Sequence, residues 1–189
     1  MNKEIYFETI KCEDEEVFYL DYHNKRIART IGLNLNLQEY TYPPNNKLLK
    51  CKIIYNQNEI INIEYSEYKP KDINNFKLIY DDTIDYKYKS TNRENINNLY
   101  NKKDKADEII IIKNGLVTDT SIANIAIYEN GVWLTPKKPL LQGTTLDRLV
   151  EEEYIKQSDI TVNQLKKSKR IALMNAMIGF KILDKFTFS

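Results

Sequence analysis

Three short stretches of the sequence carry residue types that could bind a phosphate or move a proton. Gly-Thr-Thr at 143–145 opens a predicted helix, where backbone N–H groups and hydroxyls can bind an anion. Arg26 follows His23 by three residues and offers a forked donor of the kind that binds phosphate. Lys89 ends the alternating stretch YKYK and could direct an amine into a cleft. Each feature also has an interpretation without chemistry. Gly-Thr-Thr could be only a helix cap, Arg26 a solvated helix residue and Lys89 a surface lysine.

A single acid lies inside a run of small hydroxyl residues. The stretch LVTDTSIANIAIY at 116–128 contains Asp119, and Asn124 follows five positions later, just before an apolar strand. The simplest alternative to a chemical role is that Asp119 caps a turn.

The composition is that of an ordinary soluble globular protein. The chain has 189 residues, enough for one large domain or two small ones, with 42% hydrophobic and 29% charged residues and a net charge of +1. Nucleic acid is a poor partner, because its binding needs an excess of Lys and Arg. No apolar run approaches the roughly 20 residues of a membrane helix, and the N-terminus does not resemble a signal peptide. We therefore expect a cytoplasmic protein.

The residues that usually bind transition metals are scarce. Cys12 and Cys51 have no second Cys at metal-ligand spacing, and His23 is the only histidine. We expect no metal site and two reduced cysteines.

The first part of the chain alternates strand patterns with one helix pattern. EIYFETIKC at 4–12 and EVFYLDYH at 16–23 predict a hairpin, and NKRIARTIGLNL at 24–35 predicts a helix. Further strands are predicted at LLKCKIIYN, EIINIEYSEY and FKLIYD, which makes residues 1 to about 82 a small α/β unit.

The second part is predicted to be largely antiparallel sheet. DYKYK at 85–89 predicts a short strand, followed by a polar helix with Ser90 or Thr91 as its N-cap. Asn-Gly pairs at 114–115 and 130–131 each predict a hairpin. A helix from Gly143 onward, with Tyr154 on its apolar face, and two closing strands complete the pattern.

Seven stretches in one order resemble the fold-type-IV pyridoxal phosphate enzymes, which include branched-chain and D-amino-acid aminotransferases and 4-amino-4-deoxychorismate lyase. The stretches are FETIK (7–11), HNKRI (23–27), YKSTNR (88–93), ADEIIIIKNGLVTDTSIANIAIY (106–128), LTP (134–136), LQGTTLDRL (141–149) and LMNAMIGF (173–180). They extend over most of the chain.

The resemblance implies a role for each candidate residue. Lys89 matches the family's Schiff-base lysine, although Lys87 would lie on the same face of an alternating strand. Asp119 matches the acid that keeps the cofactor's ring nitrogen protonated, where the family usually has Glu. The residues that match the family's phosphate ligands are Arg26, Thr144, Thr145 and Asn175. Asn124 matches an Asn that supports the sheet near the cofactor ring, and Lys11 is a weaker candidate for binding a carboxylate of the substrate.

The resemblance leaves three activities open. LMNAMIGF and the small loop length favour a 4-amino-4-deoxychorismate lyase of folate synthesis, which forms 4-aminobenzoate and pyruvate. The alternatives are an aminotransferase for branched-chain or D-amino acids and a non-catalytic protein that binds the cofactor.

The resemblance also implies the architecture. We expect an α+β subunit with a small α/β domain at 1–84 and a larger β-rich, barrel-like domain at 85–189 that carries most of the pyridoxal 5′-phosphate site. The cofactor would lie between the two domains, and the subunit would form a homodimer.

Overall fold

The computed structural model describes residues 4–189, and the chain divides into two compact units. The first contains the chain up to Pro70 together with Tyr88–Asn92, and the second contains Lys71–Lys87 and Arg93–Ser189. Both units combine sheet and helix, which confirms the predicted α+β class.

An antiparallel sheet is the framework of the first unit. Its strands are β1 (Tyr6–Glu13), β2 (Glu16–Val17), β3 (Leu49–Tyr55) and β4 (Ile60–Glu67), in the order β2-β1-β3-β4. Residues of β1 and β3 alternate between buried and half-buried, as expected where one sheet face is covered. The helix α1 (Leu20–Ile31) contributes Leu20 and Ile27 to the same hydrophobic core.

The helix α1 begins earlier than the sequence pattern indicates. We expected a strand at 16–23, but only its first two residues pair with β1. Tyr19 has a positive φ of 57°, and the helix starts at the next residue. Helical spacing places His23 and Ile27 on its buried side, so tertiary packing overrides the strand propensity of this stretch.

Nine strands form the sheet of the second unit. They are β5 (Asn75–Tyr80), β6 (Glu108–Lys113), β7 (Leu116–Thr120), β8 (Asn124–Glu129), β9 (Val132–Pro136), β10 (Lys156–Ser158), β11 (Ile171–Asn175), β12 (Gly179–Leu183) and β13 (Thr187–Phe188). Seven follow the order β10-β9-β8-β7-β6-β5-β13, while β11 pairs with both β8 and β12. Most pairs are antiparallel, but β5 is parallel to β6 and to β13, and β9 is parallel to β10.

Both predicted Asn-Gly hairpins are present. Asn114 and Gly115 connect β6 to β7, and Asn130 and Gly131 connect β8 to β9, all four with positive φ. A two-residue turn of this kind matches the right-handed twist of the paired strands. The strands thereby place Asp119 on β7, paired with the first residue of β8.

Two segments differ from the predicted strands. The stretch at 85–89 is not a strand; instead, Ser90 forms an isolated bridge with Tyr6, and the amide of Phe7 donates to the carbonyl of Lys89 at 3.0 Å. The strand β5, which the sequence pattern grouped with the N-terminal strands, pairs with β6 instead. A parallel partner 32 residues away leaves no local sequence signal.

The second unit also contains three α-helices, α2 (Glu94–Tyr100), α3 (Thr144–Glu151) and α4 (Val162–Lys167), and a 3-10 helix at Asn101–Lys103. Arg93, not Ser90 or Thr91, is the N-cap of α2. Thr91 bonds instead to the carbonyl of Ile5, through its amide at 2.8 Å and its hydroxyl at 3.1 Å. Tyr154 lies beyond the end of α3. Within the described range, no helix has the length and apolar character needed to cross a membrane.

Candidate active site

Three buried side chains form a hydrogen-bonded network in the first unit. Glu8 points inward from β1, while His23 and Arg26 are three residues apart on α1, the spacing that puts them on one helix face. Glu8 Oε1 accepts from Arg26 Nε at 2.9 Å, and Oε2 accepts from Arg26 Nη2 and lies 2.5 Å from His23 Nδ1. None of the three is more than 6% exposed. The predicted phosphate ligand and the only histidine therefore share one carboxylate.

Sequence reasoning missed Glu8, although a signal was available. The stretch FETIK contributes to the family resemblance, but the resemblance implies no role for its acid. Tyr6 and Ile10, two positions away on either side, are apolar and buried. Because side chains alternate along a strand, position 8 must also face inward. A buried acid needs a cationic or hydrogen-bonded partner, which Arg26 and His23 supply.

The network fixes the protonation of its members. Burial alone would raise the pKa of Glu8, but the Arg26 guanidinium and the hydrogen bond from His23 outweigh it and lower the pKa to about 2. Burial lowers the pKa of His23; Glu8 opposes this effect, and the charges of Arg26 and Lys89 reinforce it. At neutral pH the carboxylate is ionised and the imidazole is neutral. We therefore assign the proton of His23 to Nδ1, which donates to Glu8.

Lys89 belongs to the same unit as this network. Its Nζ lies 4.6 Å from the centroid of the Phe7 ring, and its charge contributes to the lowered pKa of His23. Lys89 is half-buried, whereas Lys87 is exposed. Because the segment is not a strand, alternation does not set the two lysines on one face. Burial favours Lys89 as the reactive amine.

Asp119 is a buried carboxylate of the second unit that is held by amides. Asn124 Nδ2 donates to its Oδ1 at 2.7 Å, and the backbone amide of Leu141 donates to its Oδ2 at 2.9 Å. Burial raises the pKa of Asp119 to about 7, because these bonds offset only part of the lost hydration. A cation placed against this carboxylate would favour its ionised form.

The raised pKa of Asp119 predicts a pH-dependent stability in the cofactor-free protein. The unfolded chain loses this proton near pH 4, whereas the folded protein keeps it until about pH 7. As the pH rises between these values, the unfolded chain is deprotonated while the folded protein still holds the proton. The free energy of unfolding should therefore fall with rising pH, by up to roughly 1.4 kcal/mol per pH unit. Urea unfolding at pH 5 and pH 8, with Asp119→Asn as the reference, measures the effect. Equal pH dependence in both proteins would contradict it.

Asn124 also ties Asp119 to the segment that leads into α3. Its Nδ2 donates to the carbonyl of Leu141 at 2.9 Å, and a Cβ on Gly143 would overlap its Oδ1. Only glycine therefore fits at this N-cap position of α3. The threonines at 144–145 begin the helix and are buried at its positive end, where backbone N–H groups can bind an anion.

Asn175 has a turn-forming role. Its Oδ1 accepts from the amides of Met177 at 2.9 Å and Ile178 at 3.1 Å, and its Nδ2 donates to the carbonyl of Ile122 at 3.2 Å. These bonds shape the turn between β11 and β12 and connect it to the loop between β7 and β8. A contact of Asn175 with a phosphate stays a prediction.

The predicted site residues fall into one group in each unit, and their chemistry fits pyridoxal phosphate. The first unit supplies an amine, Lys89, and a forked donor, Arg26. The second supplies a helix N-terminus and the acid Asp119, whose pKa is raised by burial because the hydrogen bonds from neutral amides offset only part of the lost hydration. Such an acid suits a protonated ring nitrogen. Taken separately, the first unit offers an amine and a phosphate donor, and the second offers a phosphate-binding helix start and an acid for the ring nitrogen, which are the kinds of contact that this cofactor requires.

Comparison with known proteins confirms the resemblance. The sequence profile of class IV aminotransferases matches residues 6–182. An uncharacterized protein of Haemophilus influenzae is 34% identical over 184 residues, which is 92% of this chain and 97% of that protein. The crystal structure of a proposed 4-amino-4-deoxychorismate lyase from Haemophilus somnus has a TM-score of 0.83 at 32% identity, covering 95% of this chain and 98% of that one. A hypothetical aminotransferase from Mycobacterium tuberculosis, solved with bound pyridoxal phosphate, shares the fold with a TM-score of 0.76 at 16% identity, covering 97% and 81% of the two chains.

The chain belongs to the class IV aminotransferase family. This family depends on pyridoxal phosphate, and the protein is accordingly a pyridoxal phosphate-dependent enzyme that acts on a small amino substrate.

Proposed function

We propose that the protein is a 4-amino-4-deoxychorismate lyase, which releases 4-aminobenzoate and pyruvate in folate synthesis. The observation that carries the proposal is the similarity to the proposed lyase of Haemophilus somnus over nearly the whole of both chains. The stretch LMNAMIGF at 173–180, which resembles the lyases more than the Thr-rich stretch of the aminotransferases, also supports it.

The residues of the site would share the binding of the cofactor. Lys89 Nζ would hold its aldehyde carbon as a Schiff base. The guanidinium of Arg26 would bind the phosphate, together with the first N–H groups of α3 and the hydroxyl of Thr145. Asn124 would support Asp119, and Asn175 would add an amide to the phosphate site.

Proton transfer by Lys89 is the chemical core of the proposed reaction. When bound, pyridoxal phosphate withdraws electrons from the substrate carbon that carries the amino group. With a substrate amine in its place on the cofactor, Lys89 would have a free Nζ that could act as a base. This Nζ would take the proton from the ring carbon bearing nitrogen and supply a proton to the departing enolpyruvate, which would leave as pyruvate. The remaining ring becomes aromatic as 4-aminobenzoate.

Asp119 would keep the ring nitrogen protonated. It is one methylene shorter than the Glu that is usual in the family. Asn124 and the amide of Leu141 hold its two oxygens in defined positions. A cationic ring nitrogen beside it would reverse the effect of burial and lower its pKa.

An assay of the cofactor-loaded protein with 4-amino-4-deoxychorismate tests the proposal. We expect equal amounts of 4-aminobenzoate and pyruvate, and no keto acid from L- or D-amino acids with 2-oxoglutarate. The Lys89→Ala variant, purified in parallel, controls for a contaminating enzyme. Keto-acid formation without aminobenzoate would identify an aminotransferase and overturn the lyase.

A homodimer is the assembly that we propose. Its support is the resemblance to the family, and a solution mass near twice the 22.4 kDa of one chain is the expected result of sedimentation. A mass of one chain at assay concentration would contradict it. The cytoplasmic location stays a prediction.

A further inference from the structure

We infer that Glu8 is a positioning residue for binding of the cofactor's phosphate. It would act by holding the Arg26 guanidinium in one orientation through Nε and Nη2. The inference deepens the proposed function and rests on the role that it gives to Arg26. It assigns a role to Glu8, the one buried acid among the described residues of the first unit, which takes no part in the proposed proton transfer or in the proposed contacts with the cofactor.

The contacts of Glu8 restrict the guanidinium in two ways. Both carboxylate oxygens accept from the side edge of the guanidinium, one from Nε at 2.9 Å and the other from Nη2. Two parallel bonds fix the plane of the group as well as its position. The covalent geometry of arginine then fixes the direction of the end edge, formed by Nη1 and Nη2, relative to β1. A single bond would leave the group able to rotate about its side chain.

His23 fixes Glu8 in turn. Its Nδ1 donates to the same Oε2 that accepts from Arg26, and both partners are on α1 while Glu8 is on β1. The carboxylate therefore cannot turn without breaking its contacts with both side chains. With the imidazole neutral, the three groups carry no net charge, so their burial costs far less than that of an isolated Arg26.

The charge of Glu8 and its two-point contact with Arg26 have opposite expected effects on the affinity for phosphate. Removing the negative charge of Glu8 would leave Arg26 a stronger attractor of anions, so phosphate should bind more tightly if charge alone mattered. Removing the two-point contact would release the guanidinium, so phosphate should bind more weakly if orientation matters. We expect the loss of orientation to dominate. The backbone of Arg26 is held in α1, so the orientation of its guanidinium decides how well it meets the phosphate.

The experiment compares pyridoxal phosphate with pyridoxal, which lacks the phosphate, on full-length protein freed of cofactor. Dissociation constants are obtained from the absorbance of the bound aldehyde. Glu8→Gln should weaken pyridoxal phosphate by about 10- to 100-fold, the effect of losing a charge-assisted hydrogen bond, and change pyridoxal by less than about twofold. Glu67→Gln, an exposed glutamate paired with Lys47, is the matched control and should leave both constants unchanged.

Two further variants separate the possible failures. Arg26→Gln should lose the preference for pyridoxal phosphate over pyridoxal; if it does not, the role of Arg26 and the inference both fall. If Arg26→Gln loses the preference but Glu8→Gln keeps or strengthens it, only the inference falls. Equal weakening of both ligands by Glu8→Gln would show a merely structural role.

Glu8→Asp is the variant to use if Glu8→Gln does not fold. It keeps the negative charge but shortens the side chain, and it should show a smaller loss of affinity for pyridoxal phosphate with little change for pyridoxal.

Discussion

Lys89→Ala is expected to abolish the absorbance of the lysine-bound cofactor and to reduce turnover by roughly 10⁴-fold or more. The variant removes the amine that holds the aldehyde carbon and the base that moves the substrate proton, so both properties should disappear together. The fold should persist, because the segment is held by backbone bonds such as that from the Phe7 amide to the Lys89 carbonyl at 3.0 Å. Absorption spectra and product assays on the same preparation measure both effects.

Lys87→Ala is the matched control for this variant. Lys87 is two residues away but exposed, and we expect its replacement to leave the spectrum and the rate unchanged. Activity retained by Lys89→Ala and lost by Lys87→Ala would transfer the role to Lys87.

Asp119→Asn should leave the cofactor bound but slow the reaction by about 10²- to 10⁴-fold. The Asn side chain occupies nearly the same volume as Asp. Its oxygen can still accept one of the two hydrogen bonds, from Asn124 and from the Leu141 amide, that hold the carboxylate. It cannot stabilise a protonated ring nitrogen, so the substrate carbon becomes less acidic. Single-turnover kinetics separate this loss from any change in substrate affinity.

Asp184→Asn is the corresponding control, because Asp184 pairs with Arg170 at the surface. We expect it to leave the rate unchanged, since exposed ion pairs of this kind contribute little. A rate for Asp119→Asn equal to that of the unmodified protein would show that Asp119 only anchors the segment at Leu141.

The parts of the fold that were predictable from the sequence depend on local chemistry. The Asn-Gly turns at 114–115 and 130–131 form as expected, because few other residues tolerate positive φ at both positions. The strand predicted at 16–23 forms only at its first two residues, and the strand predicted at 85–89 does not form. Their β-forming residues satisfy a local pattern, but helix packing in the first case and a bond network to β1 in the second decide the structure.

The candidate site was predictable only as a set of residue types in order. The resemblance identified Arg26, Lys89 and Asp119, but spacing could not show which of them share a partner. The link from Glu8 to Arg26 spans 18 residues and appears only when β1 and α1 pack together. The bond from Leu141 to Asp119 is likewise non-local, and it explains how a shorter acid is held in place.

The most direct test of the account is to locate the bound cofactor on the chain. Borohydride reduction of the loaded protein converts a lysine-bound aldehyde into a stable secondary amine, and peptide mass spectrometry then identifies the modified residue. We predict one modified peptide, with the added mass on Lys89. A label on another lysine, or none at all in a protein that has taken up pyridoxal phosphate, would contradict the assignment of Lys89 as the reactive amine.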